Sequence, residues 1–139
     1  MRKNEPIKHI MSEAVHSVQK GQPISEVFKI LHNHKIHHVP VLDGKRLVGI
    51  VSSTDLMQLS LGAQGYDSDQ MWPFIDSQYE LIDVITADPK TLNESDAVRD
   101  AALALSSGSF HSLPITDADR QLVGMVTSTD LIRYLCEQY

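Results

Sequence analysis

The sequence predicts a mixed α/β (α+β) fold in which a βαββα unit occurs twice. Its 139 residues suffice for one ordinary domain or two small ones. A composition of 42% hydrophobic and 22% charged residues is typical of a chain that buries a core. The deciding observation is an internal repeat, because residues 47–56, LVGIVSSTDL, return as residues 122–131, LVGMVTSTDL. Such a repeat indicates two copies of one structural unit.

The repeat continues upstream of this segment. Residues 37–43 align with residues 111–117, and the apolar positions before them keep the same spacing. We therefore predict a first repeat at residues 1–60, an aromatic connector at residues 61–80 and a second repeat at residues 81–139. Because a unit of about 55 residues has only a marginal core of its own, the two repeats are expected to bury apolar faces against each other.

A first strand and a helix open each repeat. In the first copy, Pro23 is predicted at the first helical position, and apolar residues recur at helical spacing from Ile24 to Leu31. In the second copy, Asp96 is predicted to cap the matching helix, and residues 106–108, SSG, to end it.

Two β-branched strands and a second helix complete each repeat. In the first copy we predict strands at residues 39–42 and 47–51, joined by a DGKR hairpin turn. The second copy uses residues 117–121 for the same turn. The closing helices are expected to begin at Ser53 and Ser128.

The connector between the repeats matches neither copy. Residues 62–79 hold the only Trp, two of the four Tyr and one of the three Phe. Two interpretations remain open, an ordered segment that packs on the repeats and a surface that docks a partner, and the first is preferred.

Charge, hydropathy and cysteine content exclude several functions. The net charge of −6 divides into +3 for residues 1–60 and −9 for residues 61–139, so binding to nucleic acid or to a membrane surface is not expected. No apolar run approaches the roughly 20 residues of a membrane span, and no signal-peptide pattern occurs near the start, which predicts a cytoplasmic protein. The single cysteine, Cys136, excludes an internal disulfide framework.

The best-repeated residues are not those that a core selects. In each copy a glycine, Gly49 or Gly124, is predicted to end the last strand. A polar set follows where that strand leads into a helix, SSTD at residues 52–55 and TSTD at residues 127–130. Exposed amides and the positive end of the helix dipole converge at such a junction, which favours an anion.

Two interpretations of this polar set compete. In the first, Thr54 and Thr129 donate to phosphate oxygens, and Asp55 and Asp130 accept from the two hydroxyls of a ribose. In the second, Ser-x-x-Asp and Thr-x-x-Asp are ordinary helix N-caps. We prefer a ligand site, because a cap does not require a second hydroxyl before each Asp and a histidine at the start of the preceding strand.

With these motifs, HSLPI, GMVTSTDL and their first-copy equivalents, the chain resembles a pair of CBS domains, the tandem unit called a Bateman module. The resemblance covers nearly the whole chain. It implies two βαββα repeats packed with pseudo-two-fold symmetry, two clefts between them, and adenosine-type nucleotides as ligands. It also implies a homodimer. The regulatory gamma subunit of AMP-activated protein kinase is a related example.

The resemblance further implies two sets of ligand-binding residues. In these sets Ser52 or Thr127 and the aspartate contact ribose or phosphate, the threonine before the aspartate and the histidine can reach phosphate, and the other copy supplies the adenine contacts. One cleft would combine His111, Thr127, Thr129 and Asp130 with Met11, Ser12, His16 and Ile36. The other would combine His37, His38, Ser52, Thr54 and Asp55 with Ile85, Thr86, Lys90 and Phe110.

The chain departs from relatives that bind several phosphates. Those relatives often carry Arg or Lys beside the histidine, whereas this chain has His38 and Ser112. We therefore expect AMP rather than a triphosphate, as a regulatory ligand and not an obligatory cofactor. The cleft with His37, His38 and Lys90 is the more cationic one and is expected to bind phosphate more strongly.

Other functions are less favoured. Four histidines at positions 32, 34, 37 and 38 could suggest a metal site, but they span a helix end and a strand start, so no metal site is predicted. A hydrolase built on His37 and Asp55 lacks a nucleophile turn, and no enzyme is predicted. The expected function is a regulatory sensor that acts through an unidentified effector protein. The alternative is a ligand-independent interaction scaffold with vestigial clefts.

Overall fold

A computed structural model describes residues 4–139, apart from the side chain of Ser68. The chain forms two compact units. The copy-one unit is His16–Pro89, and the copy-two unit joins the described residues up to Val15 to Lys90–Tyr139. No helix in residues 4–139 is long and apolar enough to cross a membrane.

The copy-one unit contains a four-stranded sheet in the order β1-β2-β3-β4. Strand β1 is parallel to β2, and the other two pairs are antiparallel. Its elements in chain order are β1 (Val18–Gln19), α1 (Ile24–His34), β2 (His38–Asp43), β3 (Arg46–Ser52), α2 (Ser53–Leu61), α3 (Ser68–Gln78), α4 (Leu81–Val84) and β4 (Thr86–Ala87).

The copy-two unit repeats this arrangement with three strands in the order β5-β6-β7. A 3-10 turn at Ile7–His9 precedes them in the chain. The remaining elements are β5 (Leu92–Asn93), α5 (Val98–Leu105), β6 (Ser112–Thr116), β7 (Leu122–Thr127) and α6 (Ser128–Glu137). The predicted βαββα order is therefore confirmed in both copies, as is the mixed α/β fold class.

The compact units do not follow the repeats of the sequence, because each unit contains the opening segment of the other repeat. Strand β4 lies at the start of the second repeat, yet it pairs with β3 through Gly49 and Ile50. Conversely, Ser12 from the first repeat forms an antiparallel bridge with Met125 of β7. The Ser12 and Met125 amides each donate to the other's carbonyl, with N···O distances of 2.9 Å.

Each unit has its own hydrophobic core. In the copy-one unit, residues from β1 to α2 pack with Ile75 of α3 and Leu81 of α4. In the copy-two unit, Ile7 packs with Ala101 and Leu105 of α5 and with residues of β6 and β7. The side chains of Ile7, Ile75 and Leu81 are at most 2% exposed. Segments outside the βαββα elements therefore contribute fully buried side chains to both cores.

The connector is ordered and packs on the copy-one unit, which agrees with the preferred interpretation. Helix α3 lies against α1, where Trp72 stacks on Phe28 with ring centroids 4.6 Å apart. The Ser25 amide at the start of α1 donates to Asp76 Oδ1 at 3.0 Å. Pro73 lies inside α3 although proline removes a helical hydrogen bond, so these tertiary contacts offset that loss.

Three local predictions need correction. Helix α1 begins at Ile24, with Pro23 as its N-cap. Asp96 does not cap α5, since the N-cap is Ala97 and the Asp96 carboxylate accepts from the Asn93 amide instead. Gly49 and Gly124 do not end their strands, because β3 continues to Ser52 and β7 continues to Thr127. Strand pairing with β4 and with Ser12 explains why the glycines lie within strands.

Candidate functional site

The first candidate site lies where β3 leads into α2. Ser52 is the N-cap of α2, and its Oγ accepts from the Asp55 amide at 3.1 Å. In return, Asp55 Oδ2 accepts from the Ser52 amide at 2.8 Å. The Ser53 amide donates to the carbonyl of His37 at 2.9 Å, which ties the start of α2 to the residue before β2. This junction therefore holds His37, Ser52 and Asp55 in one place.

The same junction occurs between β7 and α6. Thr127 Oγ1 accepts from the Asp130 amide at 3.2 Å, and Asp130 Oδ2 accepts from the Thr127 amide at 2.8 Å. The Ser128 amide donates to the His111 carbonyl at 3.0 Å. One difference is an ion pair between Arg133 Nη1 and Asp130 Oδ1 at 3.3 Å, for which the first copy has Gln58 at the aligned position.

Helix capping is thus a real role of this polar set, but it does not use all its hydrogen-bonding capacity. The hydroxyls of Ser52 and Thr127 accept in the cap and still have a hydrogen to donate. Each aspartate uses Oδ2 in the cap, so Oδ1 lies outside it, and in the second copy Arg133 contacts that oxygen. The side chains of Thr54 and Thr129 are exposed. The cap and ligand interpretations are therefore compatible.

In each unit, the strand that leads into the junction carries a glycine, and a segment from the other repeat lies directly against that glycine. A Cβ placed on Gly49 would lie 2.5 Å from Ile85 Cδ1 and 2.8 Å from the Thr86 carbonyl oxygen. On Gly124 it would lie 2.6 Å from Met11 Sδ and 3.0 Å from the Ser12 carbonyl oxygen. Only glycine allows approaches this close. Ile85 and Thr86 thus lie beside β3, which leads to Asp55, and Met11 and Ser12 lie beside β7, which leads to Asp130.

This close approach is the functional feature that sequence reasoning missed. A glycine recurs in the middle of the same apolar run in both copies. An isolated glycine inside a strand often marks a place where another backbone comes near, so the signal was present in the sequence.

Four further predicted site residues fall in the unit opposite to their predicted partners. His16 and Ile36 belong to the copy-one unit, whereas the aspartate assigned to them is Asp130. Lys90 and Phe110 belong to the copy-two unit, whereas their assigned aspartate is Asp55. Their place in the ligand sites stays a prediction.

The clustered histidines have separate surroundings. His34 stacks on His16 with ring centroids 3.7 Å apart, and His32 stacks on Phe28 at 5.8 Å. His38 opens β2 and is half-buried, and His37 is exposed. Within residues 4–139, no three His, Cys, Asp or Glu side chains form a group that could hold a metal ion.

The CBS domain family matches residues 7–62 and residues 81–137, which together make up most of the chain. The chain belongs to the CBS domain family. Two matches in tandem identify it as a CBS pair, in agreement with the resemblance seen in the sequence.

Relatives and solved structures agree with this assignment. The CBS domain-containing protein CBSX1, chloroplastic, of Arabidopsis thaliana is 29% identical over 139 aligned residues, which cover 87% of this chain and 59% of that protein. This CBS pair therefore spans less than two thirds of that relative.

Two crystal structures that contain adenosine compounds cover nearly the whole chain. CBSX2 of Arabidopsis thaliana in complex with AMP has a TM-score of 0.79 and 26% identity, and covers 96% of this chain and 97% of its own. The CBS domain pair of protein MJ0100 in complex with 5-methylthioadenosine and S-adenosyl-L-methionine has a TM-score of 0.78 and 26% identity, over 98% and 99% of the two chains.

Proposed function

We propose that this CBS pair is a regulatory module that binds an adenine nucleotide, with AMP as the expected ligand, and that it acts through a partner protein. The observation that carries the proposal is the AMP complex of CBSX2, which matches 96% of this chain. The adenosine compounds bound to the MJ0100 pair support the wider class of ligand.

The junction residues suit the parts of AMP. Asp55 and Asp130 each keep Oδ1 outside the cap, and a carboxylate oxygen is a good acceptor for ribose hydroxyls. Thr54 and Thr129 offer exposed hydroxyls, and the amides of the first helical turn favour the phosphate. Ile85 and Met11 lie over the glycines and offer apolar surface for the adenine.

The two sites should differ in strength. The exposed Arg133 already engages Asp130 Oδ1, so a ribose must compete with that ion pair. Asp55 has no such arginine at the aligned position, which is Gln58. Together with His37 and His38, this difference supports our expectation that the Asp55 site binds AMP more tightly.

Aspartate variants test the assignment. We expect Asp55→Asn and Asp130→Asn each to weaken AMP binding at their own site by about tenfold or more, because a hydrogen bond to a charged group contributes about 1.5–3 kcal/mol. Asparagine retains an acceptor for the cap, so the helix start should survive. The measurement is titration calorimetry with AMP, ADP, ATP, S-adenosylmethionine and 5-methylthioadenosine.

Asp100→Asn is the matched control. Asp100 Oδ2 accepts from the Ala97 amide at 2.8 Å, the same capping contact at the start of α5. This variant should lose as much stability as the others and no affinity. Unchanged AMP affinity in both site variants would refute the residue roles. If the wild-type chain binds none of the five compounds, the ligand-independent scaffold is favoured.

The ligand would act by population shift. The free energy by which it shifts the module between two states equals the difference between its binding free energies for those states. We propose no catalytic role. A cytoplasmic location is part of the same proposal, and because CBSX1 is named chloroplastic, imaging of a fluorescent fusion is the direct test.

A homodimer is also proposed. Helix α3 packs on α1 in the copy-one unit, whereas Leu103, Ile132 and Leu135 on α5 and α6 are 45–63% exposed. These apolar side chains are suited to a second copy of the chain. Leu135→Glu should shift the sedimentation coefficient to the monomer value, and Ile82→Glu, at an equally exposed position on α4, should not. A monomeric wild-type chain would refute the dimer.

A further inference from the structure

A cavity lies in the copy-one unit, between α1, α2 and α3. Its volume is about 560 Å³, within the range of about 300–1,000 Å³ that is common for small-molecule sites. Leu31 and Leu56 are buried beneath it, and the stacked rings of Phe28 and Trp72 line it as well. This lining favours a ligand with a flat apolar body.

The ionisable side chains that line the cavity are Lys35, His32 and His37, of which Lys35 carries the formal charge. No Asp or Glu is among its lining residues in the part of the chain that the structure describes. Lys35 ends α1 in a left-handed conformation, with φ of 53°. It forms no ion pair within residues 4–139. A lysine ammonium with no carboxylate beside it in the lining favours an anionic group.

The lining of the cavity comes from the first copy and the connector. Helix α3, which lines one side of it, has no counterpart among the described elements of the copy-two unit. Three lining residues also change character in the aligned second copy, where Phe28, His32 and Lys35 correspond to Ala102, Ser106 and Ser109. The nucleotide junctions, by contrast, occur in both copies. The cavity therefore differs from the duplicated site in most of its residues, although Ile36 and His37 belong to both sets.

We infer that this cavity binds a small amphipathic carboxylate. The apolar body would lie on Leu31 and Leu56 against the Phe28–Trp72 stack, where burial of its surface is favourable. The carboxylate would lie toward Lys35 and accept charge-assisted hydrogen bonds. Because α3 supplies Trp72, such a ligand would stabilise the packing of the connector on α1.

Trp72 makes the inference directly testable. It is the only tryptophan, so its indole gives a single resonance in a ¹⁵N-correlated spectrum. The probes are 3-phenylpropionate and decanoate, each beside its neutral alcohol. We expect a saturable shift of the indole resonance with a carboxylate, and three- to tenfold weaker binding of the matching alcohol, roughly the contribution of one partly exposed charge contact.

Substitutions test whether the carboxylate binds in this cavity and contacts Lys35. Lys35→Gln should remove the preference for the carboxylate, while Lys45→Gln in the β2–β3 turn should preserve it. Met57→Arg should block binding, and Leu61→Arg, at an equally exposed position of α2 outside the lining, should not.

Four results would overturn the inference. The first is no indole shift with either carboxylate at millimolar concentration, and the second is equal affinity for acid and alcohol. The third is an indole shift that follows protein concentration without any probe, because a second copy would then fill the cavity. The fourth is AMP that competes with the carboxylate, because the cavity would then be part of the nucleotide site.

Discussion

The substitution Gly49→Ala tests the central architectural feature, the close approach of β4 to β3. The added Cβ would lie 2.8 Å from the Thr86 carbonyl oxygen, whereas ordinary contacts begin near 3.4 Å. Ile85 Cδ1, at 2.5 Å, is the end of a flexible side chain and can turn away. The carbonyl belongs to a paired strand, so β4 must move by about half an ångström. Overpacking of this kind costs about 1–3 kcal/mol.

Gly124→Ala should cost less. Its new Cβ would meet Met11 Sδ at 2.6 Å, and the Ser12 carbonyl oxygen only at 3.0 Å. A methionine side chain adapts more readily than a backbone carbonyl. Gly21→Ala is the control, because nothing lies within 4 Å of its Cβ position and its φ is not positive. It should be neutral, or stabilising by up to about 1 kcal/mol.

The assay is urea unfolding, followed by Trp72 fluorescence for the copy-one unit and by far-UV circular dichroism for the whole chain. With a slope of about 1–3 kcal/mol/M, Gly49→Ala should lower the fluorescence midpoint by roughly 0.3–3 M. A wild-type midpoint for Gly49→Ala, or a larger loss for Gly21→Ala than for Gly49→Ala, would refute the close approach as a constraint.

Two further predictions concern local contacts. Ser52→Ala and Thr127→Ala should each lower the free energy of unfolding by about 1 kcal/mol, because each removes the acceptor of an N-cap; thermal unfolding measures the loss, and no change would show that the caps are dispensable. Asp76→Ala should speed amide exchange in α3, because it removes the acceptor of the Ser25 amide, whereas Asp119→Ala in the turn of the second copy should leave that exchange unchanged; equal exchange in both variants would contradict the tether.

Signals carried by neighbouring residues were enough to predict much of the protein. The repeat of residues 47–56 at 122–131 established two equivalent units, and helical spacing and the DGKR turn predicted the βαββα order that the structure has. The start of α2 at Ser53 and of α6 at Ser128 was also predicted, because a cap depends only on residues within one turn. These interactions are local, so the sequence alone contains them.

Only the tertiary structure decided which segments pack together. Pairing of β4 with β3, and of Ser12 with Met125, joins residues far apart in the chain, and no local pattern specifies such partners. A helix containing Pro73 contradicts local propensity and depends on burial of Ile75 and on the Phe28–Trp72 stack. The amphipathic cavity arises from that same packing. Long-range contacts therefore determine the strand pairing at the glycines, the packing of the connector and the formation of the cavity. Short-range patterns are what made the two repeats recognisable in the sequence.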